Sequence, residues 1–420
     1  MGSKTEQAYE LAKERYAKMG VDTEEAVKKL LAVRISFNAW QLDDDKGFLQ
    51  VEAGTGGGVM ATGNYPGAAK NAEQLVQDAG TVFSLIPGRH KLSVQSKMIA
   101  SAEPGIDLDR IEKEHYRYYV DWAKENGIGL DFNPSCSGHP MANSGFTLSS
   151  ADERVREFWI EHFRRASEIG EYLGQETGIR CMTNYWIPDG YKDMPADMYA
   201  PRKRLEESLD RVFDRKADRV HNMDSLESKL FGIGVEAYTV GSHEFYMAYA
   251  AKHHLPVTLD AGHFHISEEV ANKISSLMFL CDEILLHVTR PMRWDSDHVV
   301  AFDDTTQNIM NEIVRNEWLD RVHIGTDYFD ASINRVAAGV IGLRNTQKAL
   351  LKAFLEPTKE LRTYENEGNY TKRLALMEEM KTMPFQAVWD HICEMENVPV
   401  GFGWFAEVER YEKEVQLKRQ

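Results

Sequence analysis

Two spacings of apolar residues alternate along this chain. Near its start Leu11, Tyr16 and Met19, then Ala26, Leu30 and Leu31, recur at helical intervals. They predict two helices within 4–33, with Asp22-Thr23 as the cap between them. Arg34 to Trp40 then reads as a first short strand. A helix (Ala72 to Leu85) leads to a second strand, Lys91 to Gln95, and another (Ile111 to Glu125) to a third, Ile128 to Asn133. A helix from Ala151 to Gly170 or beyond precedes strand four, Arg180 to Trp186. A charged helix, Arg202 to Phe213, precedes a fifth strand that runs out at Leu226-Glu227-Ser-Lys229. Pro256 to Leu259, Ile284 to Val288 and Arg321 to Thr326 complete the set. Short buried strands alternating with helices predict an α/β fold, a (β/α)8 TIM barrel with N-terminal helices. From Thr346 onward the pattern is helical and charged, so the expected division is a barrel over 1–345 and a helical arm over 346–420. Tyr370 to Met380 is the arm's clearest element. The arm is expected to pack on the barrel or on a neighbouring subunit.

Charge and composition narrow the function classes. A formal net charge of −17 repels phosphate backbones, which argues against a nucleic-acid partner. Hydrophobic content is 43%, but no apolar run approaches the length of a membrane span, so no membrane partner is expected. The N-terminus offers no apolar h-region. Cys136, Cys181, Cys281 and Cys393 form no C-x-x-C pair and read as free thiols in a cytoplasmic protein. The run Gly54-Thr-Gly-Gly-Gly58 follows no strand and lacks a Gly-Lys-Ser/Thr ending, so a mobile loop is expected rather than a phosphate cradle. No dinucleotide motif appears, and no nicotinamide cofactor is expected.

The candidate chemistry sits where the later strands end. In a barrel these ends converge on one mouth. The fifth to eighth offer Glu227 and Lys229, Asp260 and His263, His287 with Asp295 and Asp297 just beyond, and Asp327. Carboxylates and imidazoles without thiolates suit Mn, Mg, Co or Zn, and the oxygen-rich set leans towards Mn or Mg. Taken singly, each of these residues reads as readily as a solvated loop charge or a satisfied core histidine.

Trp40-Gln41 with Asp43-Asp44, Leu130-Asp-Phe-Asn-Pro134, Trp186-Ile-Pro-Asp-Gly190, Glu227-Ser-Lys-Leu-Phe-Gly232, Asp260-Ala-Gly-His-Phe-His265, Arg290 to His298 and Phe329 to Arg335 together make the chain resemble the L-rhamnose isomerase family over nearly its whole length. The resemblance implies a cytoplasmic, Mn-preferring, usually tetrameric enzyme that interconverts an aldose and its ketose. It implies one cation on Glu227, Asp260, His287 and Asp327, and a second on His263, Asp295 and Asp297, with Asp260 able to bridge. Lys229, Asp327 and His263 would take part in catalysis, Lys229 by stabilising charge on O1, and Trp186 would wall the site. A cation across O1 and O2 would polarise both for a hydride shift between C2 and C1.

The sequence departs from the family at the first three strands. Asn38-Ala-Trp40-Gln-Leu42 stands where the family writes His-Cys-Trp-Gln-Gly. Gln95-Ser-Lys97-Met98 replaces a His followed by Ala, Ile or Met, and Tyr; Ser137-Gly-His139 replaces Phe-Ser-His; and Ala337-Ala-Gly339 replaces Ala-Ala-Trp. Gln95 cannot act as a base, so ring opening is expected to pass to His139, to water or to the spontaneous reaction. Lys97, with Gln95 and Asn38 adding neutral hydrogen bonds, is expected to face an anionic group at C6 of the substrate. The favoured substrate is therefore a 6-sulfo aldose (sulfoquinovose going to 6-deoxy-6-sulfofructose), with L-rhamnose as the alternative. A two-metal hydrolase and a non-catalytic binding protein are the remote readings.

Overall fold

The computed structural model describes residues 3–49, 61–100, 105–215, 218–231, 237–292 and 298–419. The Gly54–Gly58 run, Asp295 and Asp297 lie outside them. Eight parallel strands close into a barrel: β1 (Ile35–Asn38), β2 (Lys91–Gln95), β3 (Gly129–Asn133), β4 (Cys181–Trp186), β5 (Asn222–Glu227), β6 (Val257–Asp260), β7 (Ile284–Val288) and β8 (Val322–Thr326). Neighbours in sequence are neighbours in the barrel, and β8 closes on β1. Each strand is flanked by helix, so both faces are covered and the strands read as short apolar runs.

The barrel interior is layered. Met182, Met223 and Leu285 form a small apolar plug inside it, separate from the main core between strands and helices. One layer nearer the mouth the interior turns polar. Ser225 and Thr258 share a hydrogen bond of 2.6 Å, the Thr258 hydroxyl donates to Asn184 Oδ1 at 2.7 Å, and the Asn184 amide donates to Glu227 Oε2. Every member of this chain is buried and partnered, as a polar network inside a barrel must be.

Two boundaries differ from those the pattern predicts. β1 stops at Asn38 because Trp40–Asp43 forms a helical turn, followed by Asp44 and Asp45 with φ of 61° and 56°. Two successive non-glycine residues in the left-handed region are unusual. The buried Asp43 carboxylate holds them there, accepting from the backbone N–H of Asp45 at 3.1 Å and of Gly47 at 2.7 Å. The second difference concerns the arm. The helix Arg335–Phe354 runs straight through the expected boundary at 345/346. It packs on β1 and on the helices Thr23–Ala32 and Ala72–Ser84. The chain leaves it only beyond Leu355, where Pro357 cannot continue the ladder. The helices that follow return to the barrel. Tyr370–Met380 buries no residue, whereas Phe385–Met395 buries Trp389 and Ile392, and its His391 stacks on Tyr9 of the first helix at 3.8 Å.

Candidate active site at the barrel mouth

The ends of β5 to β8 do converge. Asp260 and His287 are directly opposite in the parallel register, as are Trp186 and Glu227, so each pair projects from the barrel on the same side. One ligand atom from each of Glu227, Asp260, His287 and Asp327 lies within 4.8 Å of all the others. The His287 Nδ1 atom stands 3.1 Å from Glu227 Oε1, 3.2 Å from Asp327 Oδ2 and 3.8 Å from Asp260 Oδ2. Gly325 lies beside it on β8. A Cβ there would come 3.4 Å from the His287 ring and 3.3 Å from the Leu286 carbonyl, so a larger residue would crowd the imidazole.

Electrostatics mark the group as a cation site. Burial pushes the Asp260 carboxyl up to about 8; His263 opposes this, and the Asp327 and Glu227 carboxylates add to the push. Burial by itself would lower the His287 imidazole, yet Glu227 and Asp327 hold it well above its ordinary value. Asp260 Oδ2 is buried with no hydrogen-bond partner. Three carboxylates and one imidazole so placed fit a divalent cation of the oxygen- and nitrogen-preferring kind.

Neighbouring side chains orient the four. Trp40 donates its indole N–H to Asp327 Oδ1 at 2.8 Å, and Asn184 holds Glu227 as described above. His263 Nδ1–H donates to the Ser228 carbonyl at 2.9 Å, which fixes its tautomer, and lies 3.4 Å from Glu227 Oε1. Lys229 Nζ sits over the rings of Trp186 at 4.9 Å and Phe231 at 5.4 Å. Its ammonium thus stays at the mouth although β5 ends two residues earlier.

The cavity above this cluster is lined on one side by Trp186, Glu227, Lys229, His263, Asp327 and Phe329. On the other it is lined by Trp40, Asp45, Gln95, Asn133, Ser135 and Ser137. Three residues expected to touch the substrate do not line it. Lys97 is saturated by protein groups: its Nζ lies 3.0 Å from Asp45 Oδ1 and 3.1 Å from Ser137 Oγ, and also donates to the Asp45 carbonyl. The buried lysine has its counter-ion already, so the expected cation for an anionic C6 group is absent. His139 is likewise committed. Its Nε2 pairs with Asp107 at 2.8 Å, its Nδ1 accepts from the Met141 N–H, and its ring stacks on Phe158. It caps the turn Pro140–Ala142 and offers nothing to ring opening. Asn38 ties β1 to β8, its amide donating to the Tyr328 carbonyl and its oxygen accepting from Thr326 at 2.6 Å.

Gln95, Trp186 and Trp40 line the cavity. Asp45, Asn133, Ser135, Phe329 and Asn184 carried no recognised signal of their own as site residues. Asn133 was legible in principle, as the last residue of a predicted strand.

The family model of L-rhamnose isomerase (RhaA) matches residues 3–419. The chain is 53% identical over 421 residues to a protein of Listeria innocua serovar 6a named L-rhamnose isomerase, the match covering 100% of both. It is 51% identical over 419 residues, again 100% of both, to a protein of the same name from Escherichia coli O127:H6. Among solved structures, an L-ribulose 3-epimerase aligns at 12% identity and a TM-score of 0.49, over 76% of this chain and 95% of its own.

Proposed function

The chain belongs to the L-rhamnose isomerase family, and from that premise we propose that it interconverts L-rhamnose and L-rhamnulose at a divalent-cation site. The observation that carries the reading is the meeting of Glu227, Asp260, His287 and Asp327 within 4.8 Å at the mouth of the barrel. Family membership makes the chain an aldose–ketose isomerase and removes the hydrolase and binding-protein readings. The sulfonated substrate is set aside, because the lysine on which it rested is neutralised by Asp45.

In this reading Glu227, Asp260, His287 and Asp327 hold the cation, with Trp40 and Asn184 keeping two of the carboxylates in place. A bound divalent cation supplies Lewis-acid polarisation of two adjacent sugar oxygens. The Lys229 ammonium, poised over Trp186, stabilises negative charge as it develops on O1. Trp186 and Phe329 keep water from C1 and C2, so the hydrogen passes between them without exchange. His263, with Asp295 and Asp297, is the proposed set for a second cation. Manganese as the ion, a homo-oligomeric (tetrameric) assembly and a cytoplasmic location complete the proposal on family grounds. Among the described residues, no helix is long and apolar enough to cross a membrane.

The test uses purified protein, Mn2+ and L-rhamnose, with no nicotinamide added. Ketose should form, EDTA should stop it, and Mn2+ should restore it. Sugar deuterated at C2 should deliver the label to C1. No ketose from the Mn-loaded enzyme would sink the substrate reading, and full loss of label to solvent would sink the hydride transfer.

A further inference from the structure

The end of the barrel opposite the mouth holds a second cavity, of about 450 Å³. Arg34 just before β1, Lys91 at the start of β2 and Arg180 just before β4 line it, with Lys29 from the helix Thr23–Ala32 and the carboxylates Asp131 and Asp320. Chemistry in this fold belongs to the C-terminal ends of the strands, so a charged cavity at their N-terminal ends needs its own account. Most of its charges are spent on one another. Lys91 Nζ pairs with Asp131 Oδ1 at 2.7 Å, and both residues are buried. Arg180 forks onto Glu283, with Nη1 at 3.1 Å from Oε1, and His323 Nε2 lies 2.5 Å from the same carboxylate.

Arg34 is the exception. Its Nη1 is buried without a hydrogen-bond partner. Burial and the neighbouring Arg89 push its guanidinium below its ordinary value, with no carboxylate acting against them. A guanidinium in that state costs free energy until an acceptor reaches it. The two arginines leave this side of the cavity positive in a chain whose net charge is −17. Lys29, half exposed at the rim and only 3.9 Å from Glu25, can bring a further ammonium. A planar fork backed by an ammonium matches the oxygens of a phosphate. The volume falls in the range of small-ligand sites, roughly 300–1,000 Å³, so a phosphorylated small molecule fits as well as the free ion. We propose that this cavity binds a phosphate group, free or carried by a small metabolite, with Arg34 as its principal ligand. It lies at the other end of the strands from the cation cluster, and its occupancy does not depend on the isomerase reading.

Titration calorimetry on the Mn-loaded full chain tests this, with excess Mn2+ removed and ionic strength held constant with chloride. Inorganic phosphate and glycerol 3-phosphate are the two probes. At least one should bind saturably, and the tighter of the two tells whether the free ion or an ester is the better occupant. Arg34→Met should weaken that binding about tenfold or more. Its urea midpoint in phosphate-free buffer should equal or exceed that of the unmodified chain, because the substitution removes a charge without a partner. No saturable heat from either probe would overturn the proposal. So would unchanged affinity in Arg34→Met, which would seat the anion elsewhere, the cation cluster included. A lowered midpoint for that variant would also overturn it, by showing that the guanidinium serves the fold.

Discussion

Glu227 reaches the cation cluster by way of a neutral amide. Asn184 donates to its Oε2 and is itself fixed by Thr258, so the carboxylate is aimed before any ion arrives. Removing that amide leaves the carboxylate in place but free to turn. Asn184→Ala should therefore weaken Mn2+ binding roughly 10–100-fold, read by titration calorimetry, with the circular dichroism spectrum unchanged. An unaltered affinity would mean that the end of β5 alone orients Glu227. At this scale the chemistry of the chain was largely legible: Asp260, His287 and Asp327 each sit at or just beyond the end of an apolar run. Asn184 was not, because an asparagine inside a strand has the same composition whether it faces a helix or the barrel axis. Lys97 was misread for a related reason. Its partner Asp45 lies 52 residues away, on a left-handed turn that no spacing rule anticipates.

Between elements, the C-terminal segment is fastened to the barrel through a buried charge. Asp78, in the helix Ala72–Ser84, is fully buried. It receives Arg419 at 2.6 and 2.7 Å and the Tyr411 hydroxyl at 2.7 Å. Arg419→Met leaves that carboxylate unpaired in the interior and should reduce the unfolding free energy by about 3–5 kcal/mol. The double variant Asp78→Leu/Arg419→Met should recover most of the loss, since replacing both partners of a buried pair is often neutral. Urea denaturation followed by tryptophan fluorescence would decide it, and a wild-type midpoint for Arg419→Met would show that the segment is held by its apolar contacts alone. The expected 345/346 boundary falls inside one helix at this same scale. Charge and helical period rise near Thr346, but the helix Arg335–Phe354 is one unit, with its first turns on β1 and its later turns under the arm.

Two buried histidines outside the site contribute to the pH response of the whole molecule. Burial pushes His90 and His162 down to about 4. His90 is held neutral, accepting from the Ile35 N–H at Nδ1 and donating from Nε2 to the Pro87 carbonyl. Both take up protons on unfolding near pH 6.5, where a free imidazole titrates. At these two sites the unfolded chain then binds more protons than the native one between about pH 6.5 and 4, so their contribution to stability rises with pH across that window and is complete above it. Each histidine contributes a slope of up to about 1.4 kcal/mol per pH unit. Relative to the unmodified chain, whose buried Asp43, Asp224 and Asp260 carboxyls titrate with the opposite sign, a His162→Phe variant should lose its share of this rise in urea midpoint between pH 5 and pH 7.5, and an identical pH profile would contradict the burial argument. The sequence by itself determined the order of strands and helices, the barrel, and the residue types at its mouth, because apolar periodicity and strand-end position are local properties of the chain. Only the tertiary structure decided which side chains face the cavity and which face each other. Asn38, Lys97 and His139 turn to protein partners away from the cavity, whereas Asp45, Ser135 and Ser137 line it, because hydrogen-bond partners are chosen by proximity in space and closing a barrel brings together residues far apart in sequence.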